Sequence, residues 1–535
     1  MSKLIIQKLQ VSVAGGAMII GGASIVSRVL GLVRDRLLST TLGPGTVLDS
    51  YFTAFKVPDF VFNILVLGVM SASFVPVFID RLAKNGEADA WRVANSVLNL
   101  LLISLTVISA LCFIGAPQLV SLLAYGDDPA QQIQTVAFTR VMLVALICFG
   151  ASNVFAGLLH AYKRFFVYAA APILYNVGII IGIIFFYPVL GSIGLPMGVV
   201  LGSFLHVAVQ VPAVLKSGFR YKLVLDLANP GVRKILKLMP PRAFALGLTQ
   251  LNVVILFAIA STLDDGARSI WQFADNLQHF PINIFGVSLA LAVFPVFSEA
   301  FAENDIERFK KLFSDNFRRI LFFIIPVSIT TLLLRAQIVR LVYGAGEFTW
   351  SHTILTAQTL GIFALSMFAQ AAIPLLARSF FAKQDTKTPV IISTVAMVIN
   401  IVLAFVLAKP YGVIGLALSF SIAAIVQMLM LLTTLRFRHG DLDDDHLIES
   451  TWKIVVASIG MGVVIQGLKY VIAPLVNMQT FVGIFAQTLG AMIGGGVVYI
   501  MIAHLFRFEE ARMVARKLRD MANLVTRIWK APSQD

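Results

Sequence analysis

The stretch Ser27-Arg28-Val29-Leu30-Gly31-Leu32-Val33-Arg34-Asp35-Arg36 lies within, or at the end of, the first long apolar segment of the chain. It puts charge where lipid does not tolerate it. A charged side chain near the bilayer centre costs about 2.5–3.5 kcal/mol on insertion scales, so such residues face a bundle interior or a wet cavity. Arg28 and Arg34 are six residues apart, roughly 9 Å along a helix axis and about 120° around it. One cavity wall can therefore present both, with Ser27 and Asp35 beside them. The competing reading makes Arg34, Asp35 and Arg36 headgroup-level flanking charges.

The rest of the chain supports a membrane setting. Its 535 residues are 58% hydrophobic and 13% charged, with a mean hydropathy of +0.87, whereas soluble domains carry about 25% charged residues. Apolar windows long enough to span recur along the whole length and leave no room for a large soluble domain. Strand-like alternation is absent, so the spans read as helices. Cys112 and Cys148 both fall in apolar segments, which argues against a disulfide framework or a metal site. The net charge of +14 would suggest nucleic acid in a soluble chain. Here the basic residues sit in short loops between spans, where they report topology and imply no nucleic-acid partner. Lys3 and Lys8 precede an apolar run without a cleavage site, so it reads as a retained first helix.

Span positions are about 11–33, 46–71, 93–116, 136–160, 170–188, 192–214, 235–262, 270–294, 317–334, 353–380, 389–408, 411–435, 452–474 and 480–505. The expected class is all-α and polytopic, with 14 transmembrane helices. Most Lys and Arg residues then fall on the side holding both termini, which the positive-inside rule makes cytoplasmic.

Internal repetition organises these spans. Tyr162-Lys163-Arg164 through Gly191-Ser192-Ile193-Gly194-Leu195 recurs, at an offset of 221, as Lys383-Gln384-Asp385 through Gly412-Val413-Ile414-Gly415-Leu416. Val75-Pro76-Val77-Phe78 recurs at an offset of 219 as Phe294-Pro295-Val296-Phe297. Gln118 with Tyr125-Gly126 matches Gln337 with Tyr343-Gly344. The expectation is two six-helix repeats forming two lobes around a central cavity, plus two extra C-terminal helices. The domains are then 1–215, 216–435, 436–506 as a lipid-tail groove, and 507–535 as a cytoplasmic tail. In that tail Val514, Leu518, Met521, Val525 and Ile528 share a helical face beside Arg512, Arg516 and Lys517, a basic amphipathic pattern suited to an anionic leaflet. The run Gly494-Gly495-Gly496 reads as a flexible part of the groove.

Further charges fall inside the spans. Asp49, Lys56, Asp59 and Asn63 form a stripe on the second span, where Lys56 and Asp59 can pair and Pro58 permits a kink. Asp275, Asn276, Gln278, His279 and Pro281 are the sparser counterpart, with Gln250 and Asn252 one helix earlier; Asp275 and His279 form an i, i+4 pair. The net basic first lobe favours an anionic substrate, because arginine's planar fork fits phosphate oxygens. In the acidic loop Asp441-Leu442-Asp443-Asp444-Asp445-His446, a solvated surface competes with a divalent-cation site for phosphotransfer.

Together, Ser27 to Gly31 with Arg34-Asp35, then Asp49, Ala54-Phe55-Lys56-Val57-Pro58 and Phe74-Val75-Pro76, resemble the amino-terminal signature of the MurJ (MviN) lipid II flippases of the MOP transporter superfamily. Lys163-Arg164-Phe165, Ala274-Asp275 and Gln384-Asp385-Thr386-Lys387-Thr388-Pro389 extend the resemblance along the whole chain. It implies translocation of the lipid-linked peptidoglycan precursor, lipid II, from the cytoplasmic to the outer leaflet by alternating access, without enzyme activity. It places Arg28, Arg34, Asp49 and Lys56 on a central cavity and the polyprenyl tail in the groove of the last two helices. It also implies a monomer in the bacterial inner membrane among membrane lipids, without a cofactor, coupled to the membrane potential or to a monovalent cation.

Several positions depart from the family pattern. Phe62 and Asn63 replace a pair of arginines, Leu67 a glutamate, Asn276 an arginine and His279 a glutamate. Where some members bind sodium through an aspartate, this chain has Leu256, leaving Asn400 as a sodium-ligand candidate. The competing functions are a related polysaccharide-lipid flippase, a cation-coupled multidrug exporter, a polyprenyl-phosphate-dependent transferase using the acidic loop, and a non-transporting scaffold.

Overall fold

The fold comes from a computed structural model, which describes residues 13–69 and 74–511. Among the described residues every regular element is helical. Ten of these helical stretches are long and apolar enough to cross a membrane, so the chain is an all-helical polytopic membrane protein. Two of the ten, Phe165–Leu215 with 51 residues and Lys387–His439 with 53, exceed one crossing of a core about 30 Å thick. Each turns at a glycine with positive φ, Gly191 at 65° and Gly412 at 57°. These are the two loops that the sequence repeat pairs. Two further helices, Val13–Leu42 and Pro230–Ala260, stand outside the ten; the second contains the shorter apolar helix Leu246–Ala260.

The backbone repeats itself at other places too. Lys163 and Gln384 both adopt positive φ, as do Gly43 and Gly266, and Gly218 and Gly440. A π-helical turn, Phe62–Leu67, follows Pro58, and a second, Ile282–Val287, follows Pro281. Proline removes a helix hydrogen bond, and the wider turn absorbs the resulting mismatch.

The chain forms two compact units. One comprises Met1–Ser269 with Ala345–Thr349. Its apolar core gathers Val57, Phe74, Phe78, Val97, Leu105, Leu146 and Leu158. Helices Phe165–Ile181 and Gly194–Ala208 meet glycine to glycine: a Cβ on Gly178 would fall 2.2 Å from the Gly202 Cα, and one on Gly182 2.5 Å from the Gly198 Cα. Small residues let helices in lipid approach closely, where van der Waals packing replaces the hydrophobic drive.

The other unit comprises Ile270–Gly344 with Trp350–Asp535. Its core gathers Phe297, Phe309, Phe313, Met367 and Leu376, and continues through Ile454 and Met461 to Ala503. The glycine run expected to be flexible is instead partly a packing seam. A Cβ on Gly494 would meet Leu468 Cδ1 at 2.3 Å and one on Gly495 would meet Ile465 Cγ1 at 2.4 Å, while Gly496 faces open space. Beyond helix Phe481–Leu505, Glu509 and Glu510 accept hydrogen bonds from Arg318 Nη1 at 3.1 and 3.2 Å. The basic amphipathic stretch from Arg512 onward lies outside the described residues.

Candidate functional site

Helix Val13–Leu42 carries the charged stretch, and its residues divide by face. Ser27, Gly31 and Arg34 turn toward Asn176 on helix Phe165–Ile181. The Asn176 amide nitrogen donates to the Ser27 carbonyl at 3.2 Å and to Ser27 Oγ at 3.3 Å, while its oxygen accepts from Arg34 Nη1 at 3.2 Å. Arg34 also donates through Nε and Nη2 to Asp35 Oδ1 at 2.9 and 2.7 Å. Seven residues make nearly two full turns, so a single asparagine can bridge Ser27 and Arg34.

Arg28 lies on another face. It is exposed and lines a cavity of about 460 Å³ inside the first unit, with Ser27, Asn153, His206 and Gln210 among the other walls. A short polar chain closes one side, with His206 Nδ1 2.5 Å from Ser152 Oγ and Gln210 Nε2 donating to the same oxygen at 2.7 Å. Arg34 is not among the walls. The structure therefore separates the two arginines: among the described residues no hydrogen bond or ion pair engages Arg28, while Arg34 is braced.

Asp49 and Lys56 are more enclosed. Asp49 sits in the first turn of helix Thr46–Ala54, and its carboxylate accepts from the backbone N–H groups of Gly266 at 2.9 Å and Ser269 at 2.8 Å, and from Ser269 Oγ at 2.5 Å. Those donors open helix Ala267–Pro281, where a carboxylate also complements the helix dipole. Arg268 Nε lies 3.6 Å from Asp49. Its Nη2 donates to both carboxylate oxygens of Asp127, at 2.6 and 2.8 Å, and its Nη1 to Thr53 Oγ1 at 3.0 Å. All three charged side chains are 2–3% exposed, which makes this a locked core cluster. Gly266, at φ 87°, is needed there because a Cβ would approach the Pro44 carbonyl carbon to 2.9 Å. Lys56 is buried, with its ammonium 3.7 Å from the centroid of the Phe257 ring. Asn63 Nδ2 donates to the Asp59 carbonyl at 2.7 Å and to Gln250 Oε1 at 3.4 Å.

In the second unit the expected i, i+4 pair forms, with His279 Nδ1 3.2 Å from Asp275 Oδ1. Gln278 donates to the same carboxylate at 2.9 Å, and Asn276 accepts from Gln272 at 3.0 Å. Asn400 is buried within helix Lys387–His439. The acidic loop is engaged by protein partners: Arg436 pairs with Asp444 at 2.6 Å, and Asp443 accepts from Ser314 at 2.7 Å and lies 2.6 Å from His446 Nδ1.

Sequence reasoning missed Arg268, Asp127 and Asn176. Arg268 and Asp127 sit just outside apolar windows, where charge reads as loop. The detectable signal was the repeat of Gly43-Pro44-Gly45-Thr46 as Gly266-Ala267-Arg268-Ser269, which places the arginine beside a conformationally special glycine.

Polytopic helices that enclose a cavity with an exposed arginine on its wall fit a membrane transporter. The fold is shared with an inward-facing MATE multidrug transporter of the MOP superfamily, at a TM-score of 0.66 and 16% identity over 78% of this chain and 96% of that one. A solved lipid II flippase MurJ in an inward closed conformation matches at a TM-score of 0.76 and 25% identity, covering 91% and 98% of the two chains. The probable lipid II flippase MurJ of Rhizobium tropici is 28% identical over 511 residues, 94% of this chain and 95% of that protein. Residues 38–491 match the family described as lipid II flippase MurJ, and the chain belongs to that family.

Proposed function

We propose that this protein carries lipid II from the cytoplasmic to the outer leaflet of the bacterial inner membrane by alternating access, acting as a transporter and not an enzyme. The observation that carries the site assignment is Arg28, an exposed arginine on the wall of a cavity of about 460 Å³. A guanidinium so placed can take a diphosphate through two parallel hydrogen bonds. Ser27 shares the cavity wall, while Arg34 and Asp35 support it from the braced face. Asn63 extends the polar path, while Asp49 and Lys56, expected on the cavity but buried against Arg268 and Phe257, hold the fold behind it; Asp275, Asn276 and His279 serve as the counterpart in the second unit.

The topology read from the sequence completes this proposal. It has fourteen crossings with both termini cytoplasmic, two six-helix repeats around a central cavity, and a lipid-tail groove over 436–506. The paired positive-φ residues and paired π-helical turns support the repeats. The four crossings beyond ten are Val13–Leu42, Pro230–Ala260 and the second passes of the two long stretches. The remaining parts of the proposal are a monomer, membrane potential or a monovalent cation as the driving force, and Asn400 as a cation ligand.

The test is leaflet-resolved labelling of lipid II in cells depleted of the protein and then resupplied. Wild type restores outer-leaflet lipid II, Arg28→Ala does not, and Asp444→Asn behaves as wild type. Unchanged outer-leaflet lipid II on resupply rejects the substrate. Loss of function in Asp444→Asn, together with product formation on a polyprenyl carrier, would favour the transferase reading.

A further inference from the structure

A second cavity, of about 200 Å³, lies in the first unit, and its walls include Phe55, Pro58, Asp59, Phe62, Phe149 and Tyr175. Apart from one carboxylate and one phenol, these walls are carbon. The rings form an edge-to-face run: Phe62 and Phe149 centroids are 5.9 Å apart at 66°, and Phe149 and Tyr175 are 5.1 Å apart at 75°. All four aromatic side chains are half-buried and turn surface toward the cavity.

Asp59 is the unexplained member. Its backbone carbonyl accepts from Asn63, but among the described residues no hydrogen bond or ion pair reaches its carboxylate. The charge acting on it from its own helix is Lys56, whose ammonium lies against the Phe257 ring. A carboxylate left in apolar surroundings carries a desolvation cost that a bound cation offsets. Metal ions of the hard class require several oxygen ligands, which these walls do not offer. Aromatic faces beside a carboxylate suit an organic ammonium. The protein already holds one ammonium this way, in Lys56 over Phe257.

We infer that the Asp59 cavity binds an alkylammonium group, with the carboxylate supplying charge and Phe62, Phe149 and Tyr175 supplying ring faces. At about 200 Å³, it falls below the roughly 300–1,000 Å³ of pockets that enclose a drug-sized ligand. It therefore takes a headgroup and not a whole amphiphile. That group belongs either to the transported molecule or to a free lipophilic cation.

The purified full chain in detergent is titrated calorimetrically with benzyltrimethylammonium and with its uncharged isostere neopentylbenzene. The expected result is saturable binding of the cation, weakened about tenfold or more by the isosteric Asp59→Asn and about threefold by Phe149→Leu. Binding of the isostere should not respond to Asp59→Asn. Equal cation affinity in wild type and Asp59→Asn, absence of saturable binding, or equal affinity for the isostere would overturn the site. The source follows from translocation of precursors with a free or an acetylated amine. Slowing of only the free-amine precursor by Asp59→Asn assigns the ammonium to the cargo; equal rates, with inhibition of wild type by benzyltrimethylammonium, assign it to a free cation. The calorimetric arm is independent of the cargo, so failure of the lipid II reading leaves it standing.

Discussion

Arg28 and Arg268 belong to the same unit and carry the same charge, yet they do opposite things. Arg28 is exposed on a cavity wall, whereas Arg268 is 2% exposed and surrounded by Asp49, Asp127 and Thr53. A buried charge with a full set of partners is committed to the fold. An exposed one on a concave surface keeps its hydrogen-bonding capacity for a ligand. Intramembrane charge alone thus does not mark a substrate site; what distinguishes the two is how many partners the protein itself supplies.

Four substitutions put this contrast at risk. The largest effect is functional: Arg28→Ala should abolish complementation of a flippase-depleted strain while changing stability by less than about 0.5 kcal/mol, since the side chain is exposed and bonds to none of the described residues. Full growth at normal expression would remove Arg28 from the substrate path. Next, Arg268→Ala should destabilise the protein by about 3–5 kcal/mol, because Asp49 and Asp127 are left facing each other without their cation. Denaturant titration in detergent micelles measures this, and an unchanged midpoint would mean the cluster is not locked.

Asn176→Ala should cost roughly 1–3 kcal/mol, as the Ser27 and Arg34 groups lose their shared partner. It should lower transport only in proportion to folded protein, and a specific transport defect at normal folded levels would transfer Arg34 to the ligand-binding class. The smallest effect is outside the membrane. Asp385 is held at about pKa 2; burial opposes this, but hydrogen bonds from Thr388 and Arg438 outweigh it. With its folded pKa depressed, the contribution is present above the unfolded value near 4 and fades as pH falls toward 2. Since the Arg438 partner is 40% exposed, Asp385→Asn should cost less than about 1 kcal/mol at neutral pH. The difference from wild type should shrink as pH falls and vanish below pH 2; a difference undiminished between neutral pH and pH 2 would mean that packing, not charge, is lost.

Sequence reached the helical class and the Asp275–His279 pair because each depends on local spacing, and the repeated turns because their residues recur in order at an offset of 221. A 3.6-residue period brings i and i+4 together whatever the surroundings. It did not place Arg28 and Arg34 on different duties, because that depends on Asn176, distant in the chain and unremarkable among apolar neighbours. Arg268 was illegible for a related reason: a loop arginine and a buried arginine look alike until Asp49 and Asp127 are seen to converge. Gly494 and Gly495 were misread as flexible because the sequence does not show Ile465 and Leu468 lying against them.

The glycine seam between Phe165–Ile181 and Gly194–Ala208 also sets where this protein can drift. Ile184 and Phe185 are 47% and 62% exposed on the outer surface of the same segment, so chemically similar apolar residues can replace them. Gly178, Gly182, Gly198 and Gly202 have no neutral alternatives, since even alanine would put a methyl within about 2.6 Å of backbone atoms across the seam. A saturation-mutagenesis map of this stretch should therefore show a permissive lipid-facing stripe beside a column of four positions that accept nothing but glycine.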